Sequence, residues 1–160
     1  MAELEKPAPE MKFAADIMLG RLAKWLRILG EDVIYGPHLT GYGLMRAARA
    51  ENRLILTRDR SLKRKQPPPL VYIESDHYRE QLEQVVRECA LVVEKHLFTR
   101  CIRCNTILQR RAKESVEKTV PPYVFSTQEK FFWCARCQKI YWPATHHQNM
   151  LDEIKNLAIG

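Results

Sequence analysis

The sequence contains no run approaching the roughly 18 apolar residues that a bilayer-spanning helix needs, so it gives no reason to expect a membrane segment. Its opening, MAELEKPAPE, lacks both the basic start and the apolar core of a signal peptide, and residues 1–10 read as a short flexible tail of a cytoplasmic protein. There are no internal repeats and no low-complexity segments. Cysteine is scarce and odd in number: of the five, four stand in two CxxC pairs and Cys89 is left over. In a reducing compartment that pattern favours metal binding over disulfides.

At 160 residues the chain can form one ordinary domain, or a compact domain of about 100 residues with a small satellite. The formal charge of +7 is unevenly spread. Residues 1–96 carry 16 Lys+Arg against 14 Asp+Glu, while residues 97–160 carry 10 against 5, so most of the excess travels with the paired cysteines. Such a field attracts polyanions, nucleic acid first among them.

Residues 11–17, MKFAADI, suit a buried strand whose carboxyl end presents Asp16. In the next segment Leu22, Leu26 and Leu29 recur at helical spacing, with Arg21, Lys24 and Arg27 expected on another side and Gly30 as the stop. Residues 32–35 read as a second strand, 43–51 as a second helix, and 53–57 as a third strand delivering Asp59 just past its end. The basic, then triple-proline stretch 60–69 is expected to be loop, followed by a strand over 70–73. A long helix is expected over 78–95, placing Leu82, Val85, Val86, Cys89, Val92 and Val93 on one face. Strands alternating with helices imply a small α/β domain over 11–96 with a mostly parallel sheet, whose ligands bind outside the carboxyl ends of the strands. Two carboxylates meeting there, Asp16 and Asp59, can hold Mg²⁺ or Mn²⁺, although a single Asp at a strand end also serves as a helix cap.

CIRC at 101–104 and CARC at 134–137 form two knuckles, and Cys101, Cys104, Cys134 and Cys137 together supply the four thiolates of a structural Zn²⁺ site. A redox disulfide pair and an iron–sulfur centre are the competing readings. His146 and His147 could replace a thiolate, but four sulfurs already complete the shell. Residues 97–160 are therefore expected to form a zinc-ribbon module with a C-terminal helix. Within 100–139, nine Lys+Arg stand against three Asp+Glu, interleaved with aromatics such as Tyr123, Phe125, Phe131, Phe132 and Trp133. Single-stranded nucleic acid is bound by that mixture, phosphates on the cations and bases on the rings, while about half of the rings are needed for the module's own core.

FAADIMLGRLAKWLRILGEDVIY, RLILTRDRSL, RCIRCN and CARCQKIYWPATHHQNM, in that order, resemble the C-terminal RNase domain of the mutator-seven exonuclease family. The resemblance runs from Met11 to about Met150 and implies a PIN-like nuclease fold joined to a zinc ribbon, metal-dependent RNA cleavage, and Asp16 and Asp59 as active-site acids. Relatives usually carry an Asp near the start of the second helix, where this chain reads Leu39-Thr40-Gly41-Tyr42-Gly43-Leu44. Asp76, after the fourth strand, is the residue that could compensate, although it also stands where a helix N-cap is expected; Asp32 belongs to the opposite end of the sheet. The cations Arg21, Lys24, Arg58, Arg60 and Lys63 would carry the RNA backbone across the acids, as a phosphate track rather than a merely solvated face. Three functions follow: a Mg²⁺- or Mn²⁺-dependent endoribonuclease acting on single-stranded or structured RNA, an RNA-binding factor with a degenerate PIN-like site, or a scaffold for a protein partner with the zinc module as its interaction surface.

Overall fold

The structure, a computed structural model, describes residues 10–143 and 145–157; all of the expected flexible tail except Glu10, and the side chain of His146, lie outside the described residues. Four short strands, β1 (Lys12–Ala15), β2 (Asp32–Ile34), β3 (Leu54–Thr57) and β4 (Leu70–Tyr72), form a parallel sheet in the order β2-β1-β3-β4. Helices α1 (Gly20–Ile28), α2 (Gly41–Glu51) and α3 (Tyr78–Glu88) flank it. This is the expected α/β sheet.

The period-two alternation of the central strands assigns the layers. Phe13, Ala15 and Leu56 join Leu22, Leu26, Leu82, Val85 and Val86 in the core under α1 and α3. Ala14 and Ile55 point the other way, onto Leu44, Met45 and Ala48 of α2 and onto Leu62. With both faces covered, the strands read as nearly continuous apolar runs. Gly30 closes α1 at φ +88, and a Cβ there would stand 2.1 Å from the His96 carbonyl oxygen, so only glycine fits.

Three expectations fail for identifiable reasons. The third helix ends at Glu88, because Ala90 turns left-handed at φ 50 and Leu91 N bonds back to the Val86 carbonyl; Val92, expected on its apolar face, is instead exposed. The basic stretch after Asp59 is not all loop: residues Arg60–Lys65 form a 3-10 helix, anchored by the fully buried Leu62. Arg27, expected with Arg21 and Lys24 on the side of α1 away from its leucines, is 6% exposed. Its Nε donates to the Val33 carbonyl at 3.0 Å, and Nη1 donates to the carbonyls of Ile102 and Arg103 at 3.1 and 3.3 Å.

That arginine crosses to a second sheet, antiparallel, in the order β5 (Gln109–Arg111), β6 (Phe131–Cys134), β7 (Lys139–Tyr141). Between β5 and β6 run a 3-10 turn at Lys113–Val116 and α4 (Pro122–Thr127). Val116, Val120 and Phe131 form a small core there, with Phe125 and Trp142 packed against it. Further bonds tie the first cysteine knuckle to the parallel sheet and the end of α1. Asn105 takes the Val33 N–H on Oδ1 at 3.0 Å and donates to Asp32 at 2.7 Å, and Arg100 Nε donates to the Gly30 carbonyl at 3.1 Å. Finally α5 (Thr145–Lys155) returns to lay Met150 and Ile154 on the α1/α3 core. No helix among the described residues is long and apolar enough to cross a membrane.

Candidate active site and metal centre

The chain runs from β1 outward to β2, then crosses back over β1 to β3, so the direction of winding reverses between β1 and β3. Ligands of open α/β sheets bind at such a reversal, outside the carboxyl ends of the strands. Asp16 follows β1 directly and its N–H donates to the Leu56 carbonyl at 2.9 Å, which extends the β1/β3 ladder by one residue. Its side chain is 1% exposed: Oδ2 accepts from Thr57 Oγ1 at 2.8 Å, while Oδ1 has no hydrogen-bond partner among the described residues. A buried carboxylate oxygen left unpartnered costs on the order of 1–3 kcal/mol, a cost that a bound cation would remove.

Asp59 is two residues beyond β3, and its N–H donates to the same Thr57 hydroxyl at 3.0 Å. Its Oδ1 accepts from Ser61 N at 2.9 Å and Ser61 Oγ at 2.7 Å, so it is the N-cap of the 3-10 helix. Those two hydrogen bonds hold its carboxyl below the ordinary range and keep it charged. Asp76 lies exposed after β4, at the same edge of the sheet. It is not the α3 cap that the sequence suggested: His77 holds that position, and Ser75 Oγ accepts the His77 N–H at 3.0 Å. Asp32 sits at the opposite end, paired with Arg53 at 2.7 Å.

At the second site, Cys101, Cys104, Cys134 and Cys137 place their sulfurs within 4.8 Å of one another. The Cys104–Cys134 and Cys101–Cys137 separations are 3.4 and 3.9 Å, against the roughly 3.8 Å edge of a tetrahedron with Zn–S bonds of about 2.3 Å. Both knuckles fold alike. The residue after each CxxC is left-handed, Asn105 at φ 73 and Gln138 at φ 53, and its N–H returns to the carbonyl of the first cysteine at 2.8 Å. The donor set and spacing fit zinc. Among the described residues this is the one cluster of three or more close metal-type ligands; the aspartates do not draw together into another.

A family model described as the Mut7-C RNAse domain matches residues 11–154, nearly the whole chain. The chain belongs to the Mut7-C RNase family. Comparisons with curated proteins and with solved structures gave no match.

In this Mut7-C domain the five cations expected near the acids have distinct surroundings. Arg58 Nη1 donates to the Ile73 and Glu74 carbonyls at 2.9 and 2.8 Å, bracing the end of β3 against the exit of β4. Arg60 bonds Tyr72 Oη at 3.1 Å, and Lys63 Nζ lies 4.9 Å over the same ring. Arg21, in the first turn of α1, stacks 3.8 Å over Tyr78, and Lys24 is exposed. In the zinc-ligand module Arg111 covers Trp133 and Lys139 covers Tyr141, and Tyr123 is largely exposed. His147 packs edge-on against Phe98.

Sequence reasoning missed Thr57 and Ser61, which fix the two acids. Thr57 carried a signal: a hydroxyl on the last, fully buried position of a strand requires a polar partner, and the nearest parallel strand ends in Asp16.

Proposed function

We propose that this chain is a metal-dependent ribonuclease-like protein that cleaves RNA at the carboxyl edge of a PIN-like sheet formed by residues 11–96, while the zinc-ribbon module, residues 97–160, contributes nucleic-acid contacts. The observation that carries the proposal is Asp16 Oδ1, buried at the reversal of the sheet and without a hydrogen-bond partner among the described residues. Asp16 and Asp59 would hold Mg²⁺ or Mn²⁺, with Asp76 as the third acid at that edge. When bound, such an ion supplies the Lewis acidity that activates water and neutralises charge on a phosphodiester. Thr57 keeps Oδ2 of Asp16 occupied, which leaves Oδ1 as the oxygen to take an ion. Ser61 orients Asp59. Arg21, Lys24, Arg60 and Lys63 would draw the phosphate backbone to the edge, and Arg58 would shape the β3/β4 exit beside it.

A second reading, an RNA-binding factor without cleavage, is favoured by one observation: the three aspartates do not close into a compact ligand cluster of their own. Purified chain with labelled RNA distinguishes the two. Cleavage that requires Mn²⁺ or Mg²⁺ and vanishes in Asp16→Asn, with RNA binding retained, is the expected result. Salt-sensitive binding with no metal-dependent cleavage selects the second reading, and the absence of both cutting and binding rejects the proposal.

A further inference from the structure

Tyr42 is the most exposed aromatic ring beside the acidic edge, at 65%, and nothing in the proposed cleavage uses it. It occupies the first turn of α2, and its backbone is held firmly in place. Gly41 on one side adopts φ +52, and a Cβ on Gly43 would stand 2.5 Å from the His38 carbonyl oxygen, so the turn is packed directly onto residues 36–40. That segment is tied in turn to the exit of β1 by the bond from Ile17 N to the Leu39 carbonyl, 3.0 Å, one residue beyond Asp16. On the other side, Lys65 Nζ lies 4.8 Å from the Tyr42 ring centroid. Lys65 is the last residue of the 3-10 helix that Asp59 caps, which at about 2 Å rise per residue places it roughly 12 Å from that acid.

Tyr72, which meets other cations of the same 3-10 helix, shows what a completed pair looks like. Two cations cover its ring, and its hydroxyl accepts a bond from Arg60. Tyr42 has one cation and a ring that remains open to solvent. An exposed ring with an ammonium 4.8 Å over it offers stacking to a base and charge to its phosphate at once. Bases of a duplex are paired and stacked and cannot reach such a ring, whereas an unpaired base can.

We infer that Tyr42 and Lys65 form a nucleotide subsite next to the acidic edge, stacking one unpaired base and neutralising its phosphate, so that the RNA enters this site single-stranded. The inference rests on the proposal that this edge is an RNA site.

The test measures binding of a short unstructured oligoribonucleotide, and of a blunt RNA duplex of equal length, to the full chain in an Asp16→Asn background that prevents cutting. Adding Tyr42→Ala is expected to weaken single-strand binding roughly five- to hundred-fold, while duplex binding stays within about two-fold. Tyr42→Trp is expected to retain single-strand affinity, and Lys65→Ala to lower the salt dependence by about one phosphate contact. Unchanged single-strand affinity in Tyr42→Ala, or a parent that prefers duplex, overturns the subsite while leaving RNA recognition standing. A parent that binds neither RNA overturns the functional proposal, and the subsite with it.

Discussion

One hydroxyl joins the two acids: Thr57 Oγ1 donates to Asp16 Oδ2 at 2.8 Å and accepts from the Asp59 backbone N–H at 3.0 Å. The single proton of Thr57 is thereby committed to Asp16, and its lone pair to the turn that presents Asp59. Thr57→Val keeps the shape and removes both bonds. Its expected cost is about 1–3 kcal/mol in urea unfolding, since a buried carboxylate oxygen loses its partner. Metal-dependent cleavage is expected to fall ten-fold or more, with Thr57→Ser close to the parent; equal cleavage by Thr57→Val would remove this residue from the site.

At the other end of the sheet, Asp32 is the hub of a network with Arg53 at 2.7 Å, Asn105 at 2.7 Å and Arg100 at 4.0 Å. Burial pushes its carboxyl up, but the hydrogen bonds from Arg53 and Asn105 and the attraction of the two arginines outweigh it, so the folded value lies below the ordinary one. A depressed carboxylate contributes stability that is fully present above the unfolded value, near pH 4, and that is lost as pH falls through the folded value. Asp32→Asn is expected to cost roughly 2–3 kcal/mol at neutral pH and to flatten the acid limb of a stability profile. A profile that keeps its acid limb in the variant would assign the pH dependence elsewhere.

The four-sulfur site predicts one equivalent of zinc by elemental analysis. Cys134→Ser is expected to lower it and to reduce the melting temperature, and a chelator is expected to reproduce that reduction in the parent. The effect should reach beyond the metal, because the first knuckle feeds Ile102, Arg103 and Asn105 into bonds with Arg27, Asp32 and Val33. Loss of zinc that leaves the hydrogen-exchange protection of β2 unchanged would show the two sheets to be energetically independent.

Cys89 provides a contrast with those four. Burial, with Glu88 and Glu31 nearby, pushes its thiol up to about 11, which leaves little thiolate at pH 8. In the zinc-loaded chain it is expected to react with iodoacetamide about a hundred-fold more slowly than an unhindered cysteine, and to reach ordinary rates only on unfolding. Rapid labelling of the native chain would contradict the half-buried placement.

The α/β order, the placement of Asp16 and Asp59 past adjacent parallel strands, and the four-cysteine cluster were legible because each leaves a local signature: an apolar run, a strand-end acid, a CxxC spacing. What escaped the sequence depends on contacts between distant residues. Arg27 carries the same local pattern as the exposed Lys24, and only the carbonyls of residues 102 and 103, supplied by the first knuckle, make its burial affordable. Helix α3 stops at an alanine in a left-handed conformation, a residue type with no preference for it. The 3-10 helix after Asp59 has a single apolar anchor, Leu62, hidden among cations. Asp76 read as a cap because it precedes a helix, yet His77 holds the cap position, and its N–H donates to Ser75.

Strand β2 is the outer strand of the parallel sheet, and its middle residue, Val33, has its N–H taken by the Asn105 side chain and its carbonyl by Arg27. An open strand margin invites a neighbouring chain to add itself by main-chain pairing. The first cysteine knuckle therefore works as a stopper on the rim of the sheet, and its loss is expected to change colloidal behaviour: a chain cut short before residue 97 would expose that rim and self-associate.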